Sequence, residues 1–132
     1  MTTRGKRQRE AFNELKVILT GEDYSIDFIL VEGTRDVEAL RFLGVDKPID
    51  IFSHFGHAEY DIAASISKKT RCVLVLTDFD EKGLSLARRI TELLAAEGVQ
   101  VQIDLRRKIG CLMSILGLKT VEALDNWELN ND

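Results

Sequence analysis

The sequence has no long apolar run: the longest, residues 72–76, falls far short of the about 20 residues that a membrane-spanning helix needs. Residues 1–10 are basic and polar with no apolar segment behind them. The expectation is a cytoplasmic protein with no secretory signal and no membrane contact. Cysteine is scarce. Cys72, in an apolar run, and Cys111, in a helical pattern, have neither metal-ligand spacing nor the number a disulfide framework requires, so both read as buried thiols. Internal repeats and low-complexity segments are also missing. What the chain does have is 45% apolar residues in a length of 132, enough to bury one core.

A net charge of −4 argues against a uniformly basic nucleic-acid binder, but the charges are segregated. Basic residues group at Arg4, Lys6, Arg7 and Arg9, at Arg88 and Arg89, and at Arg106, Arg107 and Lys108. Acids group at Glu32, Asp36 and Glu38, at Asp78, Asp80 and Glu81, and near the C-terminus. Solvated helix faces account for most runs of this kind, and phosphate-contacting patches are the sharper reading.

Apolar spacing predicts helices over residues 9–19, 34–43, 57–69 and 84–97, closed by two more over 105–116 and 121–127. Strands are expected over 26–31, 49–52 and 72–77. Residues 99–104 alternate in the manner of a half-exposed edge strand. The run at 72–77 lacks polar alternation, as a parallel strand covered on both faces does. Strands alternating with helices imply an α/β, Rossmann-like fold: about four mainly parallel strands with helices on both faces. Right-handed crossovers then bring every strand-to-helix loop to one edge. Glu32 ends the first strand, and Asp78 and Asp80 follow the third. If those strands are neighbours, the three carboxylates converge.

Three ionised carboxylates at close range repel by about 4 kcal/mol per pair at an effective dielectric near 20, so a cation or a proton must relieve them. Hard oxygen donors suit Mg²⁺, which shares its shell with waters and phosphate oxygens. Other local readings compete. Asp78-x-Asp80-x-Lys82-Gly83 opens like a calcium loop, but Lys82 takes a ligand place and Arg89 stands where the bidentate glutamate belongs. Acids after a strand also cap helices without binding anything. An apolar strand ending Asp78-Phe79-Asp80 looks as well like the nucleophile motif of haloacid-dehalogenase phosphatases, although Lys82 departs from that pattern and too little chain follows. His54 and His57, after the second strand, are candidates for substrate or metal contact, and Arg35 and Lys82 for phosphate contact. Tyr24 and Tyr60 read as packing or surface residues, and Trp127 as a core anchor.

Glu32-Gly-Thr-Arg-Asp36-Val-Glu-Ala-Leu40, followed by Leu76-Thr-Asp78-Phe-Asp80-Glu-Lys-Gly83, resembles the paired motifs of the Toprim family. That family is shared by topoisomerases, DnaG-type primases, OLD nucleases, RecR and the endonuclease that matures 5S ribosomal RNA. Within it the chain is most similar to small stand-alone archaeal members and to the 5S-maturation type. The resemblance implies a Toprim domain over 23–105, a helical extension at 1–22, and C-terminal helices at 106–132 packed on the same domain. It implies Glu32 as acid/base or metal ligand and Asp78 and Asp80 as ligands of Mg²⁺, or of Mn²⁺ in its place. Asp36, Gly33 and Gly83 would support the site. The implied activity is nuclease-like phosphodiester cleavage of RNA or DNA, as in RNA processing or DNA repair; a non-catalytic nucleic-acid-binding or adaptor module with a protein partner is the alternative. Arg106, Arg107 and Lys108, directly after the edge strand, are expected to hold backbone phosphates. The zinc-ligand cysteines of such primases are missing, and neither tyrosine sits in a topoisomerase-like context.

Overall fold

The computed structural model describes residues 2–52 and 58–131. Helix α1 (Thr3–Thr20) starts earlier than its apolar spacing predicts, because Thr2 caps it: the Thr2 Oγ1 accepts from the Gly5 N–H at 3.0 Å. Its other end is tied off by Lys47, a buried lysine whose Nζ donates to the Leu19 and Gly21 carbonyls at 3.2 and 2.8 Å. Those two bonds satisfy the burial of the ammonium and of the free helix carbonyls together.

Strand β1 (Phe28–Val31) leads into helix α2 (Thr34–Phe42), strand β2 (Ile49–Ile51) and helix α3 (Glu59–Ser67). Strand β3 (Cys72–Val75), helix α4 (Glu81–Ala96), strand β4 (Gln100–Val101) and helix α5 (Ile103–Leu116) follow. A 3-10 turn (Val121–Ala123) and helix α6 (Leu124–Asn131) close the chain. The sheet order is β2-β1-β3-β4 and every pairing is parallel, with Phe28 opposite Val73 and Leu30 opposite Val75. Strand order therefore reverses between β1 and β3, the position at which open α/β sheets hold their ligands.

The sheet is covered on both faces, as its unalternating strands predict. Phe28, Leu30, Val73 and Val75 pack with Ile62 and Ile66 of α3 and with Ala87, Ile90 and Leu94 of α4. Ile29, Val31, Leu74 and Leu76 pack with Phe12, Leu15 and Leu19 of α1, Leu40 of α2, and Leu105, Ile109 and Leu112 of α5. Each of the fully buried aliphatic side chains stabilises the fold by about 1.5–3 kcal/mol relative to exposure. Trp127 anchors α6 as expected, its ring stacked on Phe12 at 4.7 Å with the Arg9 guanidinium 5.0 Å from its centre.

Three expectations need correction. The edge strand ends at Val101 rather than 104, because the Arg106 N–H donates to the Gln102 carbonyl at 3.0 Å and starts α5 there. Ile103 is exposed and Leu105 buried, as residues about 200° apart on a helix are, whereas a strand would put both on one face. The division expected between 105 and 106 therefore falls inside α5. Cys72 is buried, its thiol donating to the Ser25 carbonyl at 2.8 Å, but Cys111 is exposed on the side of α5 away from the sheet. His54 and His57 lie outside the described residues. No helix among the described residues is long and apolar enough to cross a membrane.

Candidate functional site

The adjacency of β1 and β3 continues beyond their last residues: the Leu76 N–H donates to the Leu30 carbonyl at 2.8 Å. The chain leaving β1 and the chain leaving β3 thus stay side by side, and Glu32 meets Asp78. The Asp78 N–H donates to Glu32 Oε2 at 2.9 Å. Burial, and then the negative charge of Asp78 and that of Asp36, push the Glu32 carboxyl above its ordinary range, against the lowering effect of the Asp78 N–H. Asp36, buried at the start of α2, accepts from the Gly33 N–H at 3.1 Å. Burial also raises its pKa, with Asp78 and Glu122 adding to the effect and the backbone donors opposing it. Three acids therefore share one electrostatic environment: Glu32, Asp36 and Asp78.

Asp80 stands slightly apart from this group. It is the N-cap of α4, with Oδ1 accepting from the Gly83 N–H at 2.7 Å. Among the described residues, no three His, Cys, Asp or Glu side chains form a group that could hold a metal ion. Each of the expected ligands nevertheless spends one carboxylate oxygen on a backbone donor: Glu32 Oε2 on Asp78, Asp78 Oδ1 on Val121 at 3.0 Å, and Asp80 Oδ1 on Gly83. Their second oxygens have no N–H donor among the described residues. The donor chemistry fits Mg²⁺, which is usually bound through one or two carboxylates, with waters and phosphate oxygens filling the remaining places. In this conformation Glu32 and Asp78 are the two that could form such a pair, and Asp80 is held by the helix it caps.

The glycines behave differently from each other. A Cβ on Gly83 would lie 2.1 Å from the Asp78 carbonyl oxygen, so the Asp78–Gly83 turn closes only on glycine. The buried Thr77 hydroxyl fastens the same turn by donating to the Gly83 carbonyl at 2.7 Å. Gly33 has an extended backbone and no atom within 4 Å of where a Cβ would sit, so the close approach expected of it is not made within the chain.

The basic triplet after β4 splits three ways because helical residues at successive positions face about 100° apart. Arg106 turns inward. Its Nη1 donates to the Val75 and Thr77 carbonyls, both at 2.9 Å, its Nη2 donates to the Asp78 carbonyl at 3.2 Å, and its guanidinium lies 4.4 Å from the centre of the Phe79 ring. Burial lowers its pKa to about 10, against the charges of Glu32 and Asp78, and it remains a cation at neutral pH. Arg106 therefore holds the end of β3 rather than a phosphate. Arg107 is exposed and pairs with Asp104 at 3.3 Å, while Lys108 reaches across to Glu14 of α1 at 3.1 Å. Arg35 is exposed, with Glu38 3.9 Å away, and Lys82 is exposed in the first turn of α4. Arg89 forks onto Glu59 and holds that carboxyl below its ordinary range.

Sequence reasoning missed the contribution of the C-terminal segment. The Phe79 N–H donates to the Lys119 carbonyl at 2.7 Å and the Val121 N–H binds Asp78, so the link between α5 and α6 fixes the carboxylate loop. Backbone partners so remote in sequence leave no local signal.

No family model matches the chain. It is 33% identical over 126 residues to a UPF0292 protein of Methanocaldococcus jannaschii, covering 92% of this chain and 94% of that one. It is 36% identical to a UPF0292 protein of Pyrococcus furiosus over 76% of this chain and 73% of that one. A UPF0292 protein of Thermococcus sibiricus is 42% identical, with the match spanning 61% of this chain and 62% of that one. Among solved structures, a protein from Aquifex aeolicus superposes with a TM-score of 0.60 at 25% identity, over 86% of this chain and 94% of that one.

Proposed function

The chain belongs to the UPF0292 family, and we propose that it is a Toprim-like, Mg²⁺-dependent protein that acts on the phosphodiester backbone of nucleic acid. The observation that carries this reading is the meeting of Glu32 and Asp78 at the switch point of the sheet, with Glu32 raised in pKa by burial and by its acidic neighbours. Glu32 and Asp78 are the residues that would hold the ion, with the second oxygen of Asp80 as a further candidate donor. Bound there, Mg²⁺ supplies positive charge to a phosphate oxygen and relieves the repulsion between the acids.

The protein's own groups have separate tasks in this reading. Glu32, beside Asp78 at the same edge, would take a proton from the attacking water or return one to the leaving oxygen. Asp78 is oriented by the Val121 N–H, and its backbone is held by Arg106. At the start of α4 Asp80 already takes the Gly83 N–H, which leaves the Glu81 and Lys82 N–H groups for a phosphate.

A second reading, a non-catalytic nucleic-acid-binding module, draws on the capping role of Asp80 and on the lack of a three-ligand group among the described residues. Labelled single-stranded, duplex and structured RNA and DNA, incubated with Mg²⁺ or Mn²⁺, separate the two. Cleavage by the parent chain, falling by about 10²-fold or more in Glu32→Gln, supports the enzyme. Metal-independent binding with no cleavage of any substrate would overturn it in favour of the binding module.

A further inference from the structure

A groove of about 850 Å³ opens beside the carboxylate loop, bounded by α5, the segment that follows it and the first turns of α1. Phe79, which stands between Asp78 and Asp80, forms part of its wall, so the loop that carries those acids borders the groove, although none of Glu32, Asp36, Asp78 and Asp80 lines it. The chain contains 22 acidic residues and carries a net charge of −4, yet no Asp or Glu lines this groove, whereas Arg7, Arg106, Arg107 and Lys119 do. Arg106 is committed to backbone carbonyls. Arg7 and Lys119 make no ion pair with any described residue. The partner of Arg107, Asp104, is almost wholly exposed, and an exposed pair of this kind gives way readily to a competing anion. Apolar surface lies between these cations: Ile103 is 52% exposed and Leu84 46%.

We propose that this groove is the docking site for an unpaired nucleic-acid strand, with phosphates on Arg7, Arg107 and Lys119 and bases against Ile103 and Leu84. The inference rests on the nucleic-acid function proposed above and specifies its substrate as single-stranded. A duplex offers mainly its phosphates to such a surface and leaves the apolar patches wet. An unpaired strand presents both phosphates and flat apolar base faces, and acid-free cationic walls around exposed aliphatic side chains match both. Phe79 links the groove to the loop that carries Asp78 and Asp80.

Cys111 lines the groove and is exposed, whereas Cys72 is buried, so alkylation reports occupancy at a known place. The experiment measures N-ethylmaleimide labelling of both thiols by mass spectrometry in EDTA, where cleavage is suppressed. The probes are oligothymidylate and oligouridylate of about twelve nucleotides, a duplex of the same length, and polyglutamate. The expected result is that the single strands slow labelling of Cys111 by about fivefold or more, with Cys72 unaffected, and that duplex and polyglutamate do not. Anisotropy should show the Arg7→Ala/Arg107→Ala/Lys119→Ala variant binding at least about tenfold more weakly, with a salt slope shallower by about two units. If oligonucleotides bind with Cys111 unprotected and the triple variant matches the parent, the groove is overturned while the nucleic-acid reading survives. Equal protection by duplex overturns the single-strand assignment. Equal protection by polyglutamate makes the groove a dock for acidic peptide instead. If no oligonucleotide binds at all, both the groove and the proposed function fall.

Discussion

Gly83 shows how closely the carboxylate loop is folded on itself. Its missing Cβ would overlap the Asp78 carbonyl oxygen, so Gly83→Ala must move either Asp78 or the start of α4. A cost of about 3 kcal/mol in urea unfolding is expected, together with a weaker response to Mg²⁺. Gly33→Ala, facing open space on an extended backbone, should cost less than about 1 kcal/mol. The acids beside these glycines make stability depend on pH. Because the Glu32 carboxyl titrates above its ordinary value of 4.5, the folded chain holds that proton more tightly than the unfolded chain does. The associated stability is fully present below pH 4.5 and is lost as pH rises through the elevated folded value. Glu32→Gln removes the loss while keeping an acceptor for the Asp78 N–H. In EDTA at neutral pH the variant should therefore melt higher than the parent, by about 2–4 °C, and the difference should vanish on acidification below 4.5. A lower melting temperature at neutral pH would show that the carboxylate stabilises the apo fold.

Arg106 governs how two elements meet. It joins α5 to the end of β3 through three carbonyls, and Arg106→Ala would leave the Val75, Thr77 and Asp78 oxygens without their donor. About 3 kcal/mol of stability should be lost in urea unfolding. Arg106→Lys should recover only part of it, since an ammonium lacks the planar fork that reaches several acceptors and stacks on Phe79. Nothing in Arg106-Arg107-Lys108 distinguishes the inward residue from its neighbours; only the packing of α5 does. For the same reason the exposure of Cys111 was not legible, as a thiol in a helical pattern reads as buried until the face of the helix is known. The neighbourhood of β1 and β3 was legible. Both runs are apolar without alternation, which marks strands covered on two sides, and both end in acids, which marks a shared edge. The end of β4 was not, because a two-residue strand and the first turn of a helix share one alternating pattern.

At the scale of the whole molecule, the terminal helices are part of the core. Residues of α1, α5 and α6 pack into one cluster with alternate residues of β1 and β3, and the segment joining α5 to α6 supplies two of the bonds that fix the carboxylate loop. Trp127→Ala, which breaks the stack on Phe12, should therefore cost about 2–3 kcal/mol and also weaken metal binding at a distance. The site is thus a property of the complete fold: a sheet that reverses order between β1 and β3, an arginine that ties down the loop from one side, and a C-terminal segment that ties it from the other. Its central claim is that Glu32 and Asp78 together hold a divalent cation. The most direct test is calorimetric titration of Mg²⁺ into the metal-free chain, into Asp78→Asn and into Glu32→Gln, each first shown by melting to be folded. A single-site isotherm for the parent, weakened by about tenfold or more in both variants, is the predicted result. Equal affinity in all three proteins, or no heat and no stabilisation of the parent at millimolar Mg²⁺, would contradict it.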